Sequence, residues 1–314
     1  MKIQIKAPAK INLYLEIISR RPNGYHNIES IFHTVDLFDM LNVEESKDIQ
    51  LSCSNSALPV DQSNLIYKTI VKMQNYFNVN KAAKIHLIKN IPMGAGLGGG
   101  SSDAAATIKA LNRIWNLNKT KKELEQFATL IGADVPFFLT GGTALVEGIG
   151  EKITKINIKS KYNFVLAKPN FGVSTVWAYS QVKLPLTNIN KIDSISKVLS
   201  KNILTTSVAR RLFFNRFEEF VFPRYREIED IKKYLESFGC ATLMSGSGAT
   251  IFALASSKEQ SVDLVGKLKQ CGWNAWAVSS FEVQDDAEVE NGNNGSQGFS
   301  QEGRQTEGLC RNYL

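Results

Sequence analysis

The chain has 314 residues, 43% of them hydrophobic and 21% charged, with a formal net charge of +7. This length suits two domains of roughly 150 residues each, and the composition suits a globular protein whose core needs no disulfide staples. Its four cysteines, Cys53, Cys240, Cys271 and Cys310, have neither C-x-x-C spacing nor a His cluster, so they read as reduced thiols and not as zinc ligands.

At the N-terminus Ile3, Ile5 and Ala7 alternate with polar residues, as in a strand and unlike the apolar stretch of a signal peptide. With no run of about 18 apolar residues anywhere, a cytoplasmic protein without a membrane span is expected. Pro8 is expected to interrupt that strand. Alternation resumes at Ile11, Leu13, Leu15 and Ile17, with Lys10 and Asn12 on the opposite face. Asn23-Gly24 signals a turn. Residues 83–88 read as a strand, 94–100 as a glycine loop, and a helix is expected from near Ser102. A second helix starts at Thr120, whose T-x-x-E spacing to Glu123 is a capping box. Lys155–Lys161 is polar and basic and could join two domains. Phe164–Ala167 reads as a buried strand, residues 187–207 as polar with scattered Ile and Leu, 225–237 as helix, and Ala249–Ala255 and Ala275–Val283 as strands. Residues from Asp285 to Leu314 carry too few apolar side chains to offset their ordering entropy, so a disordered tail is expected.

Five of the seven residues from Gly94 to Gly100 are glycine. A turn needs one or two, so this density implies backbone wrapped closely around a ligand. Consecutive N–H groups leading into a helix N-terminus suit an anion, and Ser101 and Ser102 could cap that helix or contact phosphate or Mg²⁺. No Lys follows the glycines, which excludes the Walker A loop. Gly94, Gly96 and Gly99 satisfy G-x-G-x-x-G, but Asn116–Asn118 leads into another helix where a dinucleotide fold needs a second parallel strand. A side chain at Gly98 is expected to block phosphate while sparing the fold. Lys10 at a strand end is ordinarily a solvated charge. Asp134, two residues before Pro136, is ordinarily a helix N-cap. Phosphoryl transfer needs a carboxylate near the attacking hydroxyl and a cation near the transferring group, which offers both residues a second role.

Lys6-Ala7-Pro8-Ala9-Lys10-Ile11-Asn12-Leu13, Pro92–Ser102 and Met244-Ser245-Gly246-Ser247-Gly248-Ala249-Thr250 resemble, in order, the three motifs of the GHMP kinase superfamily. Arg21-Pro22-Asn23-Gly24-Tyr25-His26, the triple glycine 98–100, Gly132–Phe137 and Asn64–Lys68 resemble its branch that phosphorylates a cytidine diphosphate alcohol on the non-mevalonate route to isoprenoid precursors. Asn23 stands where that branch often has Asp. The resemblance covers residues 1–283. It implies a two-domain α/β (α+β) fold: a ribosomal-protein-S5-domain-2-like ATP domain over 1–154, a ferredoxin-like domain over 155–284, then the tail. It implies ATP and Mg²⁺, a small-molecule cytidine diphosphate substrate, no nucleic acid or membrane partner, and a monomer or homodimer.

The same resemblance makes Lys10 and Asp134 the catalytic pair, with Asp134 as base. It gives the nucleotide Asn64, Lys89, Pro92, Met93, Gly94, Ala95, Gly96, Leu97, Gly98, Gly99, Gly100, Ser101 and Ser102. It gives the substrate Asn12, Tyr25, His26, Asp134, Tyr179, Gly246, Ser247 and Gly248, with Tyr25 stacking on cytosine and Trp177 or Tyr179 on the ring's other face. Two alternatives remain. One is a GHMP kinase for another alcohol, such as mevalonate or homoserine. The other is a nucleic-acid-binding protein, for which residues 210–226 interleave Arg with Phe and Tyr.

Overall fold

The computed structural model describes residues 1–183, 191–282 and the backbone of 288–289. Strand β1 (Lys2–Arg20) runs unbroken for 19 residues. Pro8 does not end it: a register shift between Pro8 and Ala9 absorbs the missing N–H donor. The turn at 21–25 reverses the chain, with Gly24 at φ +88° and the Tyr25 N–H donating to Asn23 Oδ1. Asn23 thus supplies the side-chain acceptor that an Asp would. β2 (His26–Ser46) pairs back along nearly all of β1. β3 (Gln50–Cys53), α1 (Leu65–Phe77) and β4 (Ala82–Ile88) follow.

Next come α2 (Gly99–Ile114), α3 (Lys121–Thr129), α4 (Val135–Thr140), β5 (Thr143–Gly148) and β6 (Lys152–Ile156). α2 starts three residues earlier than the serine signal suggests, because Gly98 in the left-handed region is its N-cap. Thr120 and Glu123 form the expected capping box on α3. The basic stretch expected as a linker in fact begins inside β6. α1 to α4 pack apolar faces such as Ile70, Ile108, Leu111 and Phe127 against Ile3, Leu41, Ile85 and Leu87 of the sheet.

The rest of the chain contains β7 (Asn163–Lys168), α5 (Thr175–Ser180), α6 (Ile192–Ser200), α7 (Thr206–Leu212), β8 (Phe214–Asn215), α8 (Glu218–Val221) and α9 (Arg226–Ser237). After these come β9 (Ala241–Met244), β10 (Ile251–Ala255), α10 (Lys258–Gln270), β11 (Asn274–Ser279) and β12 (Glu288–Val289). β11, β7, β10 and β9 form an antiparallel sheet in that order, which numbered along the chain is the ferredoxin-like 4-1-3-2. α6 shows that the polar stretch hides a helix: Ile192, Ile195 and Leu199 share one buried face. β12 pairs with Ile3 and Gln4, which corrects the reading of the whole tail as disordered; its other residues lie outside the described ones. Cys53 and Cys240 are free thiols, but Cys271 is disulfide-bonded, against the expectation of four reduced thiols. Among the described residues no helix is long and apolar enough to cross a membrane.

One core cluster joins the two sheets. Ile11, Leu13, Tyr14, Ile31 and Val35 of β1 and β2 pack with Phe164, Leu166, Leu243 and Phe252 of the ferredoxin-like sheet. Inside this seam His33 is buried between Thr143 Oγ1 (2.7 Å) and Ser280 Oγ (2.9 Å), and burial pushes its imidazole down from 6.5 to about 4. The unfolded chain therefore binds this proton more readily than the native one. The stability it carries is complete above about pH 6.5 and is lost as pH falls towards 4. Urea unfolding should show the protein about 2 kcal/mol less stable at pH 5 than at pH 7 through this group. In His33→Gln the difference between the two pH values should shrink by that amount.

Candidate active site

A cleft of about 1060 Å³ lies between β1, the loop before α2, the start of α4, α5 and the loop after β9. Its floor is the glycine loop. Gly94, Gly96 and Gly98 have φ of +60°, +73° and +70°, a region that L side chains avoid. A Cβ on Gly96 would lie 2.0 Å from the Ser245 carbonyl oxygen, and one on Gly98 would lie 2.7 Å from Phe138 Cζ and 3.1 Å from Lys10 Cγ. Gly98 is therefore small for the protein's own packing, which corrects the expectation that substitution there would spare the fold. Gly100 is the open position: a Cβ there meets nothing within 4 Å.

Neither serine caps α2, since its N-cap is Gly98 with no side-chain bond. The Ser102 hydroxyl is buried without a partner among the described residues and lies off the cleft wall, whereas Ser101 is on it. The other residues expected to hold nucleotide, from Pro92 to Gly100 with Asn64 and Lys89, line the wall. Asn64 caps α1 through the Ile66 N–H (2.8 Å). Lys89 is clamped by Asp39 and by Asp103 at 2.9 Å. Burial alone would lower its pKa, and the two carboxylates outweigh that and raise it. Asp103 is pushed up to about 8 by burial, with Lys89 opposing and Asp39 adding to the rise.

Lys10 reaches the cleft from β1 and donates to Asn12 Oδ1 at 2.5 Å, its ammonium 4.7 Å from the Phe32 ring centroid. Burial pushes its pKa below the ordinary value, and the Asp134 charge acts against that. Asn12 is fully enclosed. Its amide is committed to Lys10, to Ser30 Oγ (3.0 Å) and to Ser245 Oγ (3.4 Å). Asp134 stands at the N-cap of α4 yet makes no capping bond, and its carboxylate has no hydrogen bond or ion pair among the described residues. It lines the cleft instead.

At the far end Tyr25 is 59% exposed, and His26 stacks on Tyr179 with centroids 5.2 Å apart. Burial, then the Asp134 charge, raises the Tyr179 phenol pKa. Trp177 is turned edge-on to Tyr225 and is not on the wall. Gly246 and Ser247 line the cleft and Gly248 does not.

Several contributors carried no signal in the sequence. Asn215 Nδ2 donates to the carbonyls of Met244 (2.6 Å) and Gly246 (2.8 Å), and Glu218 accepts the Met244 N–H (2.9 Å). These bonds hold the glycine turn after β9 over the loop before α2, where Ser245 Oγ reaches the Gly96 carbonyl at 2.9 Å. Thr175 bonds Ser247 at 2.9 Å. In the Arg- and Phe-rich stretch Phe213 and Phe217 are buried and Arg216 is bound to Glu16 through two 2.7 Å bonds, whereas Arg210, Arg211, Arg224 and Arg226 are exposed.

The GHMP kinases N terminal domain matches residues 64–142 and the GHMP kinases C terminal domain matches residues 201–272, the class that this fold and glycine loop define. A 4-diphosphocytidyl-2-C-methyl-D-erythritol kinase of Caldanaerobacter subterraneus is 40% identical over 86% of this chain and 93% of its own. One of Chloroherpeton thalassium is 38% identical over 90% and 100%. A crystal structure of 4-(cytidine 5'-diphospho)-2C-methyl-D-erythritol kinase superposes with a TM-score of 0.74 at 30% identity, covering 88% of this chain and 98% of the other. A homoserine kinase from Cytophaga hutchinsonii (TM-score 0.72, 20% identity, 90% and 95% covered) shares the fold. The chain belongs to the 4-diphosphocytidyl-2-C-methyl-D-erythritol kinase family.

Proposed function

We propose that this cleft moves the γ-phosphoryl group of ATP onto the 2-hydroxyl of 4-diphosphocytidyl-2-C-methyl-D-erythritol, a step on the non-mevalonate route to isoprenoid precursors. The observation that carries the mechanism is the Asp134 carboxylate, free of any capping bond and facing the cleft that the Lys10 ammonium enters. Asp134 accepts the hydroxyl proton as the oxygen attacks phosphorus and the bond to ADP breaks. Lys10, held by Asn12, offsets the negative charge on the transferring group. Asn12 thereby serves as a positioning residue. The open face at Gly100 and the start of α2 suit the ATP phosphates. The Ser101 hydroxyl, on the cleft wall beside the start of α2, fits a role towards Mg²⁺, which would neutralise phosphate charge.

In this reading residues 1–154 form the nucleotide side and 155–284 the C-terminal side of a cytoplasmic monomer or homodimer with no nucleic-acid partner. The test is turnover with Mg·ATP and 4-diphosphocytidyl-2-C-methyl-D-erythritol against mevalonate and homoserine. Turnover of either of the latter alone would replace this reading.

Tyr25 and His26 would hold the cytosine, with Tyr179 supporting the His26 ring from below. Because Tyr25 is exposed, Tyr25→Ala should leave the core intact. Stacking is worth about 1–3 kcal/mol per base, so KM for the cytidine substrate should rise roughly tenfold or more while KM for ATP stays put. An equal rise in both would mean a general defect.

A further inference from the structure

We propose that Arg20 binds the diphosphate of the cytidine substrate and so selects a charged nucleotide alcohol over a neutral one, an inference that rests on the functional reading above. Among the described residues three Lys and Arg side chains line the cleft: Lys10, Arg20 and Lys89. Lys89 is balanced by Asp39 and Asp103. Lys10 is held by Asn12 and faces the Asp134 charge at the reacting end. The guanidinium of Arg20 makes no hydrogen bond or ion pair with any described residue. A ligand whose diphosphate enters a cleft lined by Asp103 and Asp134 needs a cation that is not already neutralised, and among the described residues of this wall Arg20 meets that need.

Its position suits that task. Arg20 closes β1 and is register-paired with His26 on β2. Directly opposed residues on antiparallel strands project from the same face with Cβ atoms about 5 Å apart. The guanidinium therefore stands beside the ring expected to read the cytosine, on the same cleft wall, within reach of the groups attached to a base held there. Its charge reaches that ring: burial first, then Arg20, lowers the His26 pKa. The adjacent Arg21 shows the contrast. It bonds Asn27 (2.7 Å) and Glu151 (3.1 Å) and braces the hairpin. Of two neighbouring arginines, one is consumed by the fold and the other is left facing the ligand. The flat guanidinium fork matches phosphate oxygens pairwise, which an ammonium does not.

The test is steady-state kinetics of the full chain with Mg·ATP and the cytidine diphosphate alcohol. Arg20→Gln should raise KM for the alcohol roughly tenfold to hundredfold, with kcat and KM for ATP within about twofold. Arg20→Glu should raise it further, and Arg20→Lys should recover part of the loss. KM of the unsubstituted protein should climb with added salt, and that dependence should flatten in Arg20→Gln. An unchanged KM in Arg20→Gln, or equal rises for both substrates, would overturn the assignment. If the unsubstituted protein does not turn over the cytidine diphosphate alcohol, the functional reading itself fails before any Arg20 variant is made.

Discussion

Asp134→Asn should lower turnover by roughly 10²–10⁴-fold, the usual scale for loss of a general base, with KM for ATP unchanged. Asn keeps the size of the side chain and removes only the proton-accepting carboxylate. As a bland helix cap, the same residue would make Asn nearly silent, because Asn caps as well as Asp. The structure sharpens the contrast with Asp134→Ala. Loss of a working cap costs about 1 kcal/mol, but this side chain makes no capping bond. Ala should therefore match Asn in lost activity while both unfold at the same urea midpoint as the parent. Near-normal turnover in the Asn variant would leave Lys10 and bound metal as the main sources of rate.

Gly100→Val and Gly96→Ala should separate ligand space from fold space. A Cβ at Gly100 meets no protein atom, and the residue lies in the first turn of α2, where Val has a better helix propensity than Gly. The variant should fold as well as the parent and lose ATP use, with KM for ATP up at least about tenfold, because its branched side chain occupies the volume that the phosphates need. Gly96→Ala inverts this pattern. The new methyl would sit 2.0 Å from a backbone oxygen at φ +73°, so the expected result is loss of the folded protein, read by circular dichroism and solubility. Normal ATP kinetics in Gly100→Val would move the phosphates away from the start of α2.

Much of this was legible in the sequence because glycine and capping residues act locally. The Asn23-Gly24 turn and the Thr120–Glu123 box use only bonds within a few residues, and their geometry follows from their chemistry. Features that depend on distant partners left no local trace. Pro8 reads as a break until β2 is alongside to absorb the register shift. Gly98 reads as room for a ligand until Phe138 and Lys10 are placed against it. Asn215 sits in an Arg- and Phe-rich stretch with no pattern of its own, and its role depends on carbonyls about thirty positions away. Ile192, Ile195 and Leu199 did carry the helical period, hidden by polar neighbours.

The shared core beneath β1 also limits how this protein can move. Kinases built from separable lobes admit and release ligands by swinging one lobe on a hinge. Here the strand carrying Lys10 and Asn12 is cemented to the ferredoxin-like sheet by the Ile11, Leu13, Phe164 and Phe252 cluster, and β8 adds to its edge. Opening the two halves like a book would expose that cluster to water. At the floor, Gly172 and Gly94 lie backbone to backbone, with the Val173 N–H bonded to the Gly94 carbonyl at 3.2 Å. Ligand exchange by parting the halves would carry that cost at every turnover, so Lys10 and the glycine loop are expected to keep their places from one turnover to the next.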